Sequence, residues 1–314
     1  MLETRAAAKA PASHAAFARY AWSVLAFNVG VVLWGAYVRA TGSGAGCGKH
    51  WPLCNGEVTP HSAAAATIIE FTHRATSGMD LVLVGLLVVW ALRVFPKRHP
   101  ARLGAVLSAV FLVTEALIGA ALVMLEHVAH NTSSARAYSL ATHLINTLTL
   151  LAFLTLTAWW AGGRPALRPR GRGAVTAAVS LLVVALLGVS GAIAALGDTL
   201  FPPHSLAAGL AQDLDPAASI FVRLRALHPL IAAVGSIWLL LYAAANGTAR
   251  PDVRRRAWTV GTLLGVQMAA GLTNLLLLAP VWMQILHLLL ADLLWISLLL
   301  LCASLLAARE PGPG

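Results

Sequence analysis

Charge is what this chain has least of. Only 11% of its 314 residues are Asp, Glu, Lys or Arg, against about 25% in a soluble domain. That scarcity excludes a soluble globular enzyme and a disordered chain. Cysteine is also sparse, at three residues. What fills the chain is apolar: 59% of residues are hydrophobic and the mean hydropathy is +0.77. A membrane-spanning helix uses about 20 apolar residues, so the composition points to an all-α polytopic membrane protein.

Eight apolar stretches are legible, at about 18–40, 67–93, 103–125, 138–161, 174–197, 219–244, 257–278 and 281–308. The segments RVFPKRHPAR, GRPALRPRGRG and NGTARPDVRRR break them with Pro, Gly and clustered cations that hydrocarbon does not tolerate. The break at Ala279-Pro280 is set by length, because the two last stretches together are too long for one span. The first stretch is too long for the apolar core of a signal peptide and lacks a cleavage site, so it reads as a retained span.

The net charge of +10 and pI of about 10.5 follow from where the cations lie. Sixteen Lys and Arg fall in the N-terminal segment, the tail and the loops after spans two, four and six; six fall on the other side. Positive charge marks the cytoplasmic face, so both termini are expected in the cytoplasm and no nucleic acid is expected as a partner. The longer loops, about 41–66, 126–137 and 198–218, are then external, where they can build a site.

Cys47 and Cys54 share the first external loop, amid Gly42, Gly44, Gly46, Gly48 and Pro52. The outer side of a bacterial membrane is oxidising and favours a disulfide. Two readings stand for such a pair, a loop staple or a redox-active dithiol. Cys302 lies in the last span and reads as a small buried hydrophobe.

The chain repeats itself. Ser190-Gly191-Ala192 in span five echoes Trp34-Gly35-Ala36 in span one, and both spans leave the membrane through small residues. Glu115 and Gln267 each precede a glycine four residues on, Gly119 and Gly271. Thr142-His143-Leu144 opens span four as Leu286-His287-Leu288 opens span eight, and His73 and His228 stand near the outer ends of spans two and six. Spans one to four are therefore copied in spans five to eight, in the same orientation. This predicts two pseudo-symmetric four-helix bundles: a first half at 18–162, a basic linker at 163–173 and a second half at 174–308, flanked by cytoplasmic segments at 1–17 and 309–314.

Of eleven histidines, four lie in spans, one in each even-numbered span and all at one depth. Ionisable groups in a membrane are costly and usually functional. One such histidine would read as a satisfied core residue, but four at equivalent repeat positions read as ligands. Two histidines from facing helices of a bundle make a bis-imidazole haem site, and the pairs are His73 with His143 and His228 with His287. Zinc would want further thiolate or carboxylate ligands nearby. The halves differ in that Glu70 lies three residues before His73, on its helix face, whereas Arg225 takes that place before His228. Glu70 is thus a candidate base in one half only. Arg39, Arg74, Arg223 and Arg225 lie at the same depth and suit haem propionates; interfacial snorkelling is the competing reading. Glu115, Asp80 and Asp292 also fall in apolar stretches. Glu115 reads as a polar interhelical contact or part of a proton path, and the two aspartates as local pairs.

The segments Gly35-Ala36-Tyr37-Val38-Arg39-Ala40-Thr41-Gly42-Ser43-Gly44, Gly46-Cys47, Trp51-Pro52-Leu53-Cys54-Asn55-Gly56 and Glu70-Phe71-Thr72-His73-Arg74, with one histidine heading each even span, resemble the bacterial haem A synthase family over about residues 18–308. The resemblance implies haem b held by His228 and His287, and haem O received as substrate between His73 and His143. It implies oxidation of a porphyrin methyl group to a formyl group by successive hydroxylation, with Glu70 essential and Cys47 and Cys54 aiding haem handling or loop structure. The partners expected on this basis are a haem O synthase, the cytochrome oxidase assembly machinery and a membrane electron acceptor of the quinone class, with further copies of the chain in a homo-oligomer. The location expected is the bacterial inner membrane. Some relatives carry a second cysteine pair in the loop after span five; here 198–218 has none. The competing functions are a di-haem b-type electron-transfer cytochrome and, behind it, a transporter built on parallel repeats.

Overall fold

A computed structural model describes residues 12–247 and 250–307. The expectations for the first residues of the N-terminal segment and for the tail lie outside the described residues. The chain is all helical, with eight helices long and apolar enough to cross a membrane. In order they are α1 (Ala12–Ala40), α2 (Ala65–Val94), α3 (Pro100–Met124), α4 (Ser134–Ala161) and α5 (Gly171–Leu200), then the short α6 (Leu206–Leu214) and α7 (Ile220–Arg225), followed by α8 (Leu227–Asn246), α9 (Pro251–Leu276) and α10 (Val281–Leu306). The chain is a multi-pass membrane protein.

Most helices outrun the apolar stretches. α1 begins at Ala12 rather than 18 and α5 runs to Leu200 rather than 197. Hydropathy reports the hydrocarbon depth, whereas backbone hydrogen bonding carries a helix into the interface. The loop after span five is partly helical, because it contains α6, whose Ser205 cap accepts the Ala208 N–H at 3.1 Å. Span six is broken at Ala226 between α7 and α8. Pro229 explains the break, since it has no N–H to offer the Arg225 carbonyl four residues back. The turn at Ala279-Pro280 is where the sequence placed it. Leu278 and Ala279 take left-handed φ of 59° and 53°, and Pro280 precedes α10.

In the first half α1 packs on α2 and α4, and α3 on α2 and α4. In the second, α5 packs on α7, α8 and α10, and α9 on α8 and α10. The halves meet where α1 and α4 face α5 and α10. α4 is the most enclosed helix, with 67% of its apolar segment buried against 17% for α9. Trp295 of α10 donates Nε1–H to the Leu148 carbonyl of α4 at 2.9 Å, deep between the halves. Leu81, Val82, Leu86 and Val89 on α2, and Leu272 and Leu275 on α9, are exposed on the outside, where lipid replaces the missing neighbours.

Each end of the bundle has its own tie. At the arginine-rich end the linker runs beside the end of α10: the Arg168 N–H donates to the Leu306 carbonyl at 2.8 Å, and Arg250 Nη2 donates to the Ser304 carbonyl at 2.9 Å. At the end that carries the cysteine loop, Arg39 of α1 donates Nη1 to the Ala195 carbonyl and Thr199 Oγ1 of α5, and Nη2 to Gln284 Oε1 of α10, each at 2.9 Å. This guanidinium joins both halves.

Two outcomes follow. Arg39→Ala removes three hydrogen bonds between the halves, leaves Gln284 Oε1 without its donor and should cost about 1–3 kcal/mol, seen as a lower midpoint of thermal unfolding in detergent; an unchanged midpoint would show that the clasp holds nothing. In the cysteine loop, His61 Nδ1 lies 2.7 Å from Glu57 Oε2. The hydrogen bond to Glu57 raises the His61 pKa above its usual value, and the same bond lowers that of Glu57. The ion pair therefore forms above the pKa of Glu57 and dissolves as pH rises through the raised pKa of His61. Glu57→Gln should return His61 to the ordinary histidine range in a pH titration of its ring resonances.

Candidate functional site

The four span histidines all lie within three turns of the same end of the bundle, on α2, α4, α8 and α10. His73 and His143 lie within electrostatic reach of each other, as do His228 and His287. The pairs expected from the repeat are therefore brought together within each half.

Glycine makes the room beside them. A Cβ on Gly35 of α1 would stand 3.0 Å from His73 Cε1, one on Gly191 of α5 3.1 Å from His228 Cε1, and one on Gly271 of α9 3.0 Å from His287 Cε1. Each ring comes so close to a helix at its glycine that a side chain there would press on it. The matching Gly119 of α3 faces open space instead. The Nδ1 atoms of His73, His143 and His287 are buried without a hydrogen-bond partner.

Among the described residues no three His, Cys, Asp or Glu side chains converge as a bare metal ion would require. A pair of imidazoles supplies two axial ligands, which suits an iron whose other four positions are filled by a macrocycle. The paired rings, the glycine cradles and the unpartnered ring nitrogens thus fit haem.

The surroundings of the four rings differ. His228 Nδ1 is 2.9 Å from Ser190 Oγ of α5. His287 Nε2 is 3.3 Å from the amide of Gln267. His143 Nδ1 is 3.2 Å from Glu115 Oε1, off the line of a hydrogen bond. The equivalence of Glu115 and Gln267 read from the repeat is therefore realised in space, since both side chains meet the histidine of the following helix.

Glu70 is buried, and its carboxylate is engaged by the cysteine loop and by Arg74. Its Oε2 accepts the Cys47 N–H at 2.8 Å, and its Oε1 takes Arg74 Nη2 at 2.5 Å and Nε at 3.1 Å. Arg74 also donates to the carbonyls of His50 and Leu53, both at 2.6 Å. Cys47 and Cys54 are joined by a disulfide. Glu70 and Arg74 thus grip the disulfide loop at both ends. Gly46 allows this, because its carbonyl takes the Thr67 hydroxyl at 2.8 Å and a Cβ there would collide with the Ala66 backbone.

The four arginines part company. Arg39 clasps the halves and Arg74 holds the loop. Arg225 is buried against Asp213 and Asp198, at 2.6 and 3.2 Å. Arg223 is exposed and makes no side-chain hydrogen bond or ion pair among the described residues. Asp80 pairs with Asn28 of α1, whereas Asp292 keeps one oxygen unpartnered. Cys302 is buried beside the Tyr242 hydroxyl.

Three residues escaped the sequence reading. Asn146 and Thr147 hydrogen-bond Glu115, and their signal was their place three and four residues after His143, on its face. Arg136, buried and bonded to the carbonyls of Ala129 and Asn131 at 2.6 and 2.9 Å, lies seven residues before His143 on that same face.

Comparison with known proteins follows the same lines. The chain is 54% identical over 293 residues to a protein of Thermus thermophilus named protohaem IX farnesyltransferase, covering 92% of this chain and 48% of that protein. It is 50% identical over 94 residues to proteins of Bacillus mycoides and Bacillus cereus named haem A synthase, covering 30% of each chain. The chain spans about half the length of the Thermus relative and a shorter share of the Bacillus ones. Residues 18–299 match the family COX15-CtaA, described as cytochrome oxidase assembly protein. By that match, which takes in all eight spans and every histidine pair, the chain belongs to the COX15-CtaA family of cytochrome oxidase assembly proteins.

Proposed function

We propose that this chain makes haem A from haem O by oxidising a porphyrin methyl group to a formyl group through successive hydroxylations. The observation that carries this reading is the pairing of histidines at one depth in two copies, only one of which holds a carboxylate against a ring. The names of the Bacillus relatives support it over the part they share.

In this reading His228 and His287 hold haem b, and His73 and His143 receive haem O. Bound haem iron supplies the electron-transfer chemistry. The protein positions the rings, keeps water from them by the packing of α1, α4, α5 and α10, and fixes the disulfide loop over α2. Glu70 is the essential carboxylate, and Cys47 and Cys54 shape or work the loop by which haem O enters. Among the arginines, Arg223 has its guanidinium free for a propionate, while Arg39, Arg74 and Arg225 would have to exchange present partners.

The Thermus relative is named for farnesyl transfer to protohaem, and about half of it lies outside the match. We assign prenyl transfer to that other half, which agrees with a haem O synthase as the neighbour of this chain. The cytochrome oxidase assembly machinery, a quinone-class electron acceptor and other copies of the chain are the remaining proposed partners. The cation distribution supports a place in the bacterial inner membrane with both termini cytoplasmic.

The first experiment is to express the chain in cells that make haem O, extract its haem and identify it by chromatography with mass detection. Haem A or hydroxylated haem O beside haem B is expected. Haem B alone, at two per chain, would instead mark a di-haem electron-transfer cytochrome. One observation favours that second reading: both oxygens of Glu70 are already held by structural partners. Glu70→Ala separates the two, because the synthase reading expects loss of haem A with haem b retained. Full haem A output from that variant would remove Glu70 from the reaction. Likewise His228→Ala should cost the haem b signal while His73 and His143 still take up haem O, read from the haem content of each variant.

A further inference from the structure

The carboxylate that meets a ring is Glu115, and its surroundings are built to hold it there. Glu115 lies on α3 among apolar neighbours, half-buried against α4. Asn146 Nδ2 donates to its Oε2 at 2.5 Å and the Thr147 hydroxyl donates to its Oε1. Asn146 is itself fixed, because its Nδ2 also donates to the Phe111 carbonyl at 2.9 Å and its Oδ1 accepts from the Thr114 hydroxyl at 2.7 Å. Thr147 shares its hydroxyl with the His143 carbonyl at 2.9 Å. A carboxylate held by this many donors does not drift, and it is held 3.2 Å from His143 Nδ1.

A neutral imidazole that ligates iron through one nitrogen carries its proton on the other, and that N–H needs an acceptor. For His143 the acceptor in reach is Glu115, whose Oε1 stands 3.2 Å from Nδ1 but off the line of a hydrogen bond, so the ring must turn to make the bond when it ligates. Among the described residues no other span histidine has a carboxylate beside its Nδ1: His228 has the Ser190 hydroxyl, and the Nδ1 atoms of His73 and His287 lack a hydrogen bond, as that of His143 does, but have no carboxylate beside them. At the repeat position of Glu115 the second half carries the neutral Gln267, which approaches the other nitrogen of its histidine.

We propose that Glu115 is a positioning residue for His143, accepting the Nδ1 proton so that Nε2 is the ligating nitrogen, and that it makes His143 the most electron-rich of the four imidazoles. The inference rests on the haem reading given above. A ligand that donates more charge stabilises ferric over ferrous iron, so the haem of the first half should sit at a lower midpoint potential with Glu115 in place than without it. The two copies of one bundle would thereby be set to different potentials by one Glu-for-Gln exchange between repeats.

The test is a redox titration and a ferric electron paramagnetic resonance spectrum of the haem-loaded full chain, wild type against Glu115→Gln and Glu115→Asp. The signal absent from His143→Ala protein identifies the first-half haem. Glu115→Gln should raise its midpoint potential, alter its spectrum and speed its loss to excess apomyoglobin by about 10- to 100-fold, while the haem of His228 and His287 stays as in wild type and certifies the fold. Glu115→Asp, which keeps the charge one methylene further back, should lie between the two. It also carries the test if Glu115→Gln does not fold, and no change in its potential would then overturn the proposal. An unchanged potential and dissociation rate in a folded Glu115→Gln protein would overturn the role of Glu115 and leave the haem reading standing. Wild-type protein that takes up no haem at His73 and His143 would overturn both.

Discussion

A polar group inside hydrocarbon must find a partner within the protein, and this requirement organises the bundle. Asn28 answers Asp80 between α1 and α2, Asn146 and Thr147 answer Glu115 between α3 and α4, and Trp295 answers the Leu148 carbonyl between the halves. Each such pair fixes the rotation of two helices about their axes, which apolar packing against lipid-like neighbours specifies weakly. The pairing is not complete: the Nδ1 atoms of three span histidines are unpartnered, as are one oxygen each of Asp80 and Asp292 and the Nε1 atoms of Trp159 and Trp160. The histidines differ from the others in lying in pairs at one end of the bundle, each pair within one half.

Much of this was legible in the sequence, for identifiable reasons. The eight spans follow from hydropathy, because lipid imposes a length that a soluble core does not. The duplication follows from small motifs around Gly35 and Gly191, and from the Glu115 and Gln267 pair. The repeat also set the expected histidine pairs, since equivalent residues in parallel copies fall at equivalent depths, and the four rings do share one end of the bundle. The family likewise followed from the segments around Cys47, Cys54 and Glu70.

What the sequence obscured was direction. Glu70 and His73 share a helix face by spacing, which does not reveal that both Glu70 oxygens are taken up by the Cys47 N–H and the Arg74 guanidinium. Spacing along one helix cannot report a partner on a loop 23 residues earlier. Glu115 was visible as a polar residue, but its contact with His143 depends on how α3 and α4 are rotated, which only their packing sets. The four arginines looked alike by depth and proved unlike by partner. Pro229 falls near the start of span six, and the span accommodates it by dividing at Ala226.

The Arg39 clasp has a bearing on how the protein is made. The guanidinium belongs to the first helix, while its partners Thr199 and Gln284 lie 160 and 245 residues further along the chain. At a synthesis rate of about 5–20 residues per second, roughly 10–50 s separate the emergence of Arg39 from that of Gln284. For that interval α1 waits at the membrane with its charged end unanswered by the protein. Completion of the last helix then closes a contact that touches both halves at once. Until then water and lipid headgroups at the interface can answer the guanidinium, and the protein's own acceptors replace them when α10 arrives.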